Sequence, residues 1–415
     1  MTAADVVVVG AGAAGLFAAI HAAERGGRVL LLEKKDRPGL KILISGGGRC
    51  NLTTTRHGRD LEAQYEPRRA RWLRHALRAF PPRALCQWVE AAGVPLQEED
   101  LDKIFPVSGR AKDVLGALLR RAEALGVELR TEAPMLELER CAAGGFAVTT
   151  PQGVLTAPAV ILAVGGKSYP RTGTTGDGYG VCRALGHRIV APVPALAPLA
   201  VDVDWVHRLA GIVLDASVTV RDGAGRALCR RRRPVLFTHR GLSGPGPMDL
   251  SGYIEERGGG CTVALDLVPD LAPEAVRRGL MEAARSHGKR SAKSALPDAL
   301  PERLRAALVE LADADVALAE LRRDRREALA RLVKDASLPV ERSLGFAHAE
   351  VTRGGVELEE VDPRTMQSRL VPGLYLCGEL LDVDGPIGGF NFQAAFATGR
   401  LAGLAVGAPP AARDQ

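Results

Sequence analysis

The chain has 415 residues, 46% of them hydrophobic, with a net charge of +6 and a pI near 9.0. That length predicts two or three domains, and no apolar run approaches the ~20 residues a transmembrane helix needs. The seven cysteines are scattered without a CxxC pair, which argues against a disulfide framework or a zinc site and for a reducing cytoplasm. Residues 5–9 run straight into a glycine turn with neither a basic n-region nor a cleavage site, so no signal peptide is expected. Basic charge admits nucleic acid as a partner. An Ala-, Arg- and Leu-rich, Lys-poor composition accounts for the same charge without one.

In chain order, Val6–Val9 is a continuous apolar run, as a buried parallel strand requires. Residues 16–25 carry the helical period, stopped by Gly26-Gly27, and Val29–Leu32 is the next strand, ending at Glu33. Residues 39–55 read as a glycine-rich loop and 66–92 as a helical pair interrupted by Pro81-Pro82. An amphipathic helix over 111–125 precedes a short strand at 127–130, and 159–164 is a second apolar strand, ending at Gly165-Gly166. Character changes near Pro192-Val193-Pro194: the pattern is strand-like to about 270, with a hairpin signal where 217–221 and 226–230 flank Asp222-Gly223-Ala224-Gly225. It is helical over 273–335 and extended again over 345–359. Residues 374–377 form one more buried strand, and 388–405 a glycine turn leading into a helix.

Gly10-Ala11-Gly12-Ala13-Ala14-Gly15 is a GxGxxG run that follows a buried strand and opens a helix. Gly10 permits the tight turn, Gly12 lets backbone approach a pyrophosphate on the positive end of the helix, and Gly15 allows close packing. Glu33 lies near the spacing of a carboxylate that accepts from an adenosine ribose. Two further features favour FAD over NAD. The loop Ser45-Gly46-Gly47-Gly48-Arg49-Cys50-Asn51 offers backbone N–H groups and one Arg, suited to a diphosphate and a ring edge. The last strand runs into Gly378-Glu379, whose carboxylate is placed for ribityl hydroxyls. A helix starting at Gly388-Gly389-Phe390-Asn391 would aim its N-terminus at the flavin N1/C2=O edge, which turns negative on reduction. A larger residue at Gly389 is then expected to push the ring away.

The blocks GAGAAG, SGGGRCNLT (45–53), GGKSYPRTGTTGDGYG (165–180), FTHRGLSGP (237–245) and GLYLCGELLDVDGPIGGFNFQAAFATGR (373–400) span nearly the whole chain. In combination they resemble the BaiN/YhiN-type flavoproteins, the aminoacetone-oxidase-like family of NAD(P)/FAD-dependent oxidoreductases. The resemblance implies FAD contacts from Gly10, Gly12, Ala13, Ala14, Gly15, Glu33, Lys34, Lys41, Ser45, Gly46, Gly47, Arg49, Cys50, Asn51, Gly165, Gly378, Glu379, Gly388, Gly389, Phe390, Asn391 and Phe392. It also implies an adenine contact from backbone near Met135. Asp384, with Asp382, flanks the flavin turn in a ribityl or turn role.

No second GxGxxG follows a strand and no redox cysteine pair is present, so NAD(P)H as reductant binds transiently, or the enzyme passes electrons to oxygen. Catalytic candidates are His239, Cys50 and Lys167. His239, in a polar glycine-rich turn, either supplies a proton or only bonds backbone while Thr238 and Ser243 cap the turn. Cys50 is a proton donor or a small packing residue. Lys167, with Tyr169 and Arg171, would line the substrate side of the ring and suit an anionic or enone substrate. Arg230-Arg231-Arg232-Arg233 has no acid beside it in sequence and is a solvated face or a phosphate contact. No metal site is expected.

The reading is an α/β protein. A split FAD-binding Rossmann-like domain of glutathione-reductase type (1–195 and 345–415) encloses an inserted domain (196–344) that is mixed β-barrel-like (196–270) and helical (271–344). The expected function is hydride transfer between flavin and a carbon centre, foremost NAD(P)H-dependent reduction of an activated C=C bond of a small molecule. The alternatives are dihydrouridine formation in ribosomal RNA, amine oxidation, or a non-catalytic FAD-binding scaffold.

Overall fold

The computed structural model describes residues 4–406. Two compact units share the chain, residues 1–192 with 351–415, and residues 193–350.

The first unit is built on a five-stranded parallel sheet. Its order is Leu374–Leu376, Ala159–Leu162, Val6–Val9, Val29–Leu32, Glu128–Arg130. The three central strands are buried along their whole length, as parallel strands covered on both faces must be. A parallel neighbour demands a crossover, and the first is the helix Ala13–Ala23, every residue of which is buried. A helix apolar all round needs cover on every side. The last helix, Phe390–Ala405, supplies some of it through two glycines. A Cβ on Gly399 or Gly403 would fall 2.3 Å from the carbonyl oxygen of Ala14 or Ala18. Phe17 is wholly buried and packs edge-on against Phe396 of that helix, worth about 1.5–3 kcal/mol of apolar burial. The 66–92 segment is the helical pair Pro67–Ala79 and Pro82–Ala91, each opened by its own proline.

The segment 39–55 departs from expectation. It is not loop throughout: a helix runs over Leu40–Gly48 from a left-handed cap at Gly39 (φ +67°), and its geometry breaks at Ser45, Gly46 and Gly47. Leu40 to Ile44 form a short apolar turn that the neighbouring glycines concealed. Gly39 is fixed by close packing, since a Cβ there would meet Leu115 at 2.4 Å.

The second unit holds a six-stranded antiparallel sheet ordered Leu199–Ala200, Gly241–Ser243, Ala227–Thr238, Val213–Arg221, Cys261–Asp266, Ala336–Val340. The long hairpin turns at Asp222, whose carboxylate accepts from the N–H groups of Ala224 and Arg226. The sheet curls toward closure, because chain just past its last strand bonds back to its first: Ala200 donates to Arg342 and Leu344 to Pro198. The helix Pro245–Arg257 covers one face, where Gly246 lets it approach Val218. The helices Pro273–Ser286, Glu302–Leu311 and Arg323–Lys334 complete the unit. Among the described residues no helix is long and apolar enough to cross a membrane, and no group of His, Cys, Asp and Glu is placed to hold a metal ion.

Candidate dinucleotide site

Three segments distant in sequence meet at the carboxyl end of the parallel sheet. The turn after the first strand takes φ +99° at Gly10, where a Cβ would lie 2.6 Å from the Ala163 carbonyl oxygen. Gly15 presses on the same turn, since its Cβ would sit 1.7 Å from the Gly10 oxygen. Gly378 (φ +73°) faces Ala14, whose Cβ would be 2.8 Å away, and Gly165 (φ +72°) faces Thr174. Gly12 differs from all of these: nothing lies within 4 Å of its Cβ position. It caps the helix that begins at Ala13. The first-turn N–H groups of Ala13, Ala14 and Gly15 have no partner within the helix, and the open Gly12 position lies beside them at its positive end, a ready anion cradle.

Glu33 closes over this turn. Its carboxylate accepts from the Ala11 N–H at 3.1 Å and the Lys35 N–H at 2.9 Å. Burial raises its pKa, against the lowering effect of the backbone N–H groups of Lys35, Ala11 and Lys34. The segment leading to Met135 is tied to the same strand end, Ala133 donating to the Glu33 carbonyl and Glu132 to that of Lys35. Met135 is half-buried against the core. The Lys34 ammonium is engaged by Thr175 and Asp177, each at 2.6 Å.

Glu379 is the hub of a half-buried network. The Lys41 ammonium donates to one carboxylate oxygen at 2.7 Å and to the Ser168 hydroxyl at 2.7 Å. The other oxygen accepts from the Ser168 hydroxyl (2.7 Å) and the Thr352 N–H (2.9 Å). Glu379 is thus held chiefly by protein groups, with one lone pair left over for a ribityl hydroxyl. Ser168 and Thr352 were not expected. Ser168 sits inside a block whose charged neighbours drew notice instead, and no sequence spacing links Thr352 to Glu379.

In the glycine loop, Gly46 and Gly47 are left-handed (φ +55° and +69°), and Gly47 opens onto space while Gly46 packs on Phe105 and Asn51. Ser45 turns its hydroxyl to the Ile42 carbonyl. Arg49 pairs with both oxygens of Glu99 at 2.9 Å and lies over the Phe105 ring, so its guanidinium is already engaged. The Asn51 side-chain oxygen is buried without a hydrogen-bond partner, an orphaned acceptor beside the open glycines. Cys50 is 1% exposed within the core, and burial pushes its thiol to about 12. A thiol sealed in the core and so weakly acidic gives up its proton reluctantly, which suits the packing role.

At the far end of the chain, Gly388 and Gly389 take φ +134° and +85°. Asn391 clamps their turn, accepting from the Gly385 N–H at 2.8 Å and donating to the Gly385 carbonyl at 2.9 Å. Phe390 is buried, its carbonyl receiving the Tyr65 hydroxyl at 2.8 Å, and Phe392 packs on Phe396. A Cβ on Gly389 would fall 2.4 Å from the Thr53 carbonyl oxygen. A larger residue there strikes Thr53 backbone before it reaches any ring, which corrects the expected route of that substitution. Asp384 belongs to a buried charge cluster with Arg69 (3.1 Å) and Arg353 (3.3 Å), while Asp382 pairs with Arg69 at 2.6 Å.

Lys167 is half-buried and its backbone N–H donates to the Thr352 hydroxyl. Tyr169 takes φ +50° and Arg171 is exposed. His239 lies in the other unit, exposed with Arg240 at a hairpin tip that Thr238 caps by bonding Gly241 and Arg240. Two members of the four-arginine run find acids in space that the sequence does not place beside them. Arg232 pairs with Asp215 and Asp270, Arg233 with Asp249, and Arg230 donates to Ser217.

An open Gly12 at a helix N-terminus, a half-buried Glu33 carboxylate at the end of the next strand and an orphaned Asn51 acceptor together fit a dinucleotide cofactor with a hydrogen-bonding ring.

Comparison with known proteins supplies a family. The model described as the HI0933-like protein Rossmann domain matches residues 4–405. The chain is similar to the ribosomal RNA dihydrouridine synthase of Escherichia coli (strain K12), 32% identical over 95% of this chain and 96% of the relative. It is similar to the 3-dehydro-bile acid delta(4,6)-reductase of Clostridium scindens, 33% identical over 97% and 99%. Among solved structures it shares its fold with the 3-ketosteroid-delta4-(5alpha)-dehydrogenase from Rhodococcus jostii RHA1 (TM-score 0.51, 16% identity, 97% and 96% covered).

Proposed function

Because the chain belongs to the HI0933-like Rossmann family and is an FAD-dependent oxidoreductase, we propose that it reduces a carbon–carbon double bond activated by a neighbouring carbonyl, with NAD(P)H as transient reductant. The observation that carries this reading is the pair of full-length relatives. Forming dihydrouridine saturates the ring C=C bond of uridine, and a delta(4,6)-reductase saturates C=C bonds of a bile acid. The two substrates differ in everything except that chemistry. Either an RNA uridine or a small enone is therefore an acceptor to test, and the cytoplasm, where seven free thiols stay reduced, is the proposed compartment.

Bound FAD supplies two-electron hydride chemistry. The chain's residues hold and tune it. The Ala13–Gly15 N–H groups and open Gly12 take the diphosphate, Glu33 the adenosine ribose, and the 45–51 and 388–391 turns the ring. Lys41, pinned by Glu379 and Ser168, places a fixed positive charge in the same unit. A positive charge there stabilises negative charge that develops on reduction. Reduction of the acceptor takes a hydride at the carbon β to the carbonyl and a proton at the α carbon, and NAD(P)H leaves as NAD(P)+. His239 is the proposed proton donor and Lys167 the second candidate.

The test is anaerobic. NAD(P)H should bleach the flavin, and a uridine-bearing RNA or a conjugated enone should restore the colour. A flavin that only oxygen or an amine turns over would overturn the reading in favour of an oxidase, and one that NAD(P)H never bleaches would favour a scaffold.

A further inference from the structure

The second unit carries a cavity of about 800 Å³ on the sheet side between the strands Val213–Arg221, Ala227–Thr238 and Cys261–Asp266 and the helices Pro273–Ser286 and Arg323–Lys334. Five cations line it, Arg221, Arg230, Arg277, Arg331 and Lys334, against two carboxylates, Asp266 and Asp335. Residues 193–350 as a whole hold 24 Lys and Arg against 22 Asp and Glu. Three of the five cations meet acids inside the unit, which leaves the cavity's unpaired positive charge on Arg230 and Arg331.

The internal pairing leaves part of that charge unneutralised. Lys334 is occupied by Asp266 and the carbonyls of Val268 and Leu271, and Arg221 pairs with Asp335 at 2.9 Å. Arg277 leans on Glu327 and Glu274. Arg230 donates to the Ser217 hydroxyl and meets no carboxylate among the described residues, and Arg331 stands exposed on its helix turn with no acid paired to it among them. No aromatic side chain lines the cavity, so it offers charge without a stacking platform. Such a surface grips a phosphate backbone and positions it without reading bases. Its volume greatly exceeds what a single phosphate needs, and its cations come from both strands and helices.

We propose that this cavity is a docking site for the phosphodiester backbone of single-stranded RNA, gripped by Arg230 and Arg331. The proposal rests on the C=C reduction reading only for what happens to the docked RNA; the docking itself is independent of it.

The test uses the full-length holoprotein and a fluorescein-labelled 20-nucleotide RNA of mixed sequence, with binding read by anisotropy across salt. The variants are Arg230→Gln with Arg331→Gln, and Arg278→Gln as a control, an exposed arginine next to the lining residue Arg277 on the same helix but outside the lining. The double variant should bind at least tenfold more weakly. Its dependence of log Kd on log salt should flatten by roughly 1.4, because about two phosphates are no longer neutralised and each accounts for about 0.7 of the slope on a single strand. Flavin content and Tm should be unchanged, and the control should bind as wild type. Equal weakening by Arg278→Gln would mean diffuse surface charge and overturn the site. Displacement of the RNA by millimolar inorganic phosphate or NADPH, with no dependence on RNA length, would assign the cavity to a small dianion instead. Absence of RNA binding with an enone still restoring the bleached flavin overturns the dock and leaves the function standing. RNA binding without reoxidation by RNA or enone does the reverse.

Discussion

Gly12 and Gly15 stand three residues apart under different constraints. A Cβ on Gly15 would meet the Gly10 carbonyl oxygen at 1.7 Å, so Gly15→Ala breaks the turn itself. A Cβ on Gly12 meets nothing within 4 Å, so Gly12→Leu should fold and fail only toward the cofactor. The expected result is a colourless Gly12→Leu protein that keeps the melting temperature of wild-type apoprotein, beside a Gly15→Ala protein that is poorly soluble or melts far lower. A Gly12→Leu protein that retains FAD at wild-type occupancy would remove the pyrophosphate from this turn. Glu33 gives a pH dependence. Burial raises its carboxyl above the ordinary 4.5, so the acceptor proposed for the adenosine ribose is lost, as pH falls, earlier than for an ordinary glutamate. Flavin retention followed by ultrafiltration should therefore drop on acidification in wild type and be weak at every pH in Glu33→Gln. The apoprotein moves the opposite way. A carboxyl raised on folding favours the folded state below its unfolded value and loses that contribution as pH rises through the folded one. The glycine roles were legible because backbone approach needs a particular residue type at a fixed spacing. The pairings of Arg49 with Glu99 and of Lys34 with Asp177 were not, because charged side chains find partners across 50 and 143 residues.

At the scale of elements, two turns carry more structure than their glycines suggest. Gly389 combines φ +85° with Thr53 backbone 2.4 Å from its Cβ position. Gly389→Ala costs about 1–3 kcal/mol for the left-handed conformation alone, with the collision added. The last helix should detach at its start, seen as a lowered Tm together with lost flavin. A variant with unchanged Tm would show that the turn can yield. Beside it, Arg69 and Asp382 pair at 2.6 Å with side chains 4% and 1% exposed. Removing one charge of a buried pair strands the other at a cost of about 3–5 kcal/mol, so Asp382→Asn should shift the urea midpoint strongly, whereas a shift below ~1 kcal/mol would mean that Glu66 and Asp384, which also pair with Arg69, absorb the loss. Periodicity found the strands at Val6–Val9, Val29–Leu32 and Ala159–Leu162 because full burial leaves an unbroken apolar run. It missed the helix at Leu40–Gly48, a single apolar turn overshadowed by the glycines that kink it. It also read 273–335 as helical throughout, where the structure ends one helix at Leu311 and starts another at Arg323. Composition alone carries no mark of that break.

At the scale of the whole molecule, the first unit is assembled from chain ends about 160 residues apart in sequence, and this division has a consequence for folding. Leu374–Leu376 pairs with Ala159–Leu162 at the edge of the parallel sheet. Phe390–Ala405 lies on Ala13–Ala23 so closely that only Gly399 and Gly403 fit between the two backbones. A chain ending at residue 372 keeps the entire GxGxxG turn and Glu33, yet loses the edge strand, Glu379 and the helix that covers Ala14, Phe17 and Ala18. Uncovering Phe17 alone forfeits about 1.5–3 kcal/mol, an appreciable part of the roughly 5–15 kcal/mol that typically holds a domain together. The Lys41 ammonium would also lose its carboxylate partner. The truncated chain is therefore expected to be insoluble or molten and free of flavin, despite an intact dinucleotide motif. Co-expressing residues 351–415 as a separate segment should restore yellow, soluble protein if the two pieces associate through that same strand pairing and helix packing. Retention of FAD by the truncated chain alone would show that the N-terminal turn holds the cofactor unaided, and that the returning segment only tunes it.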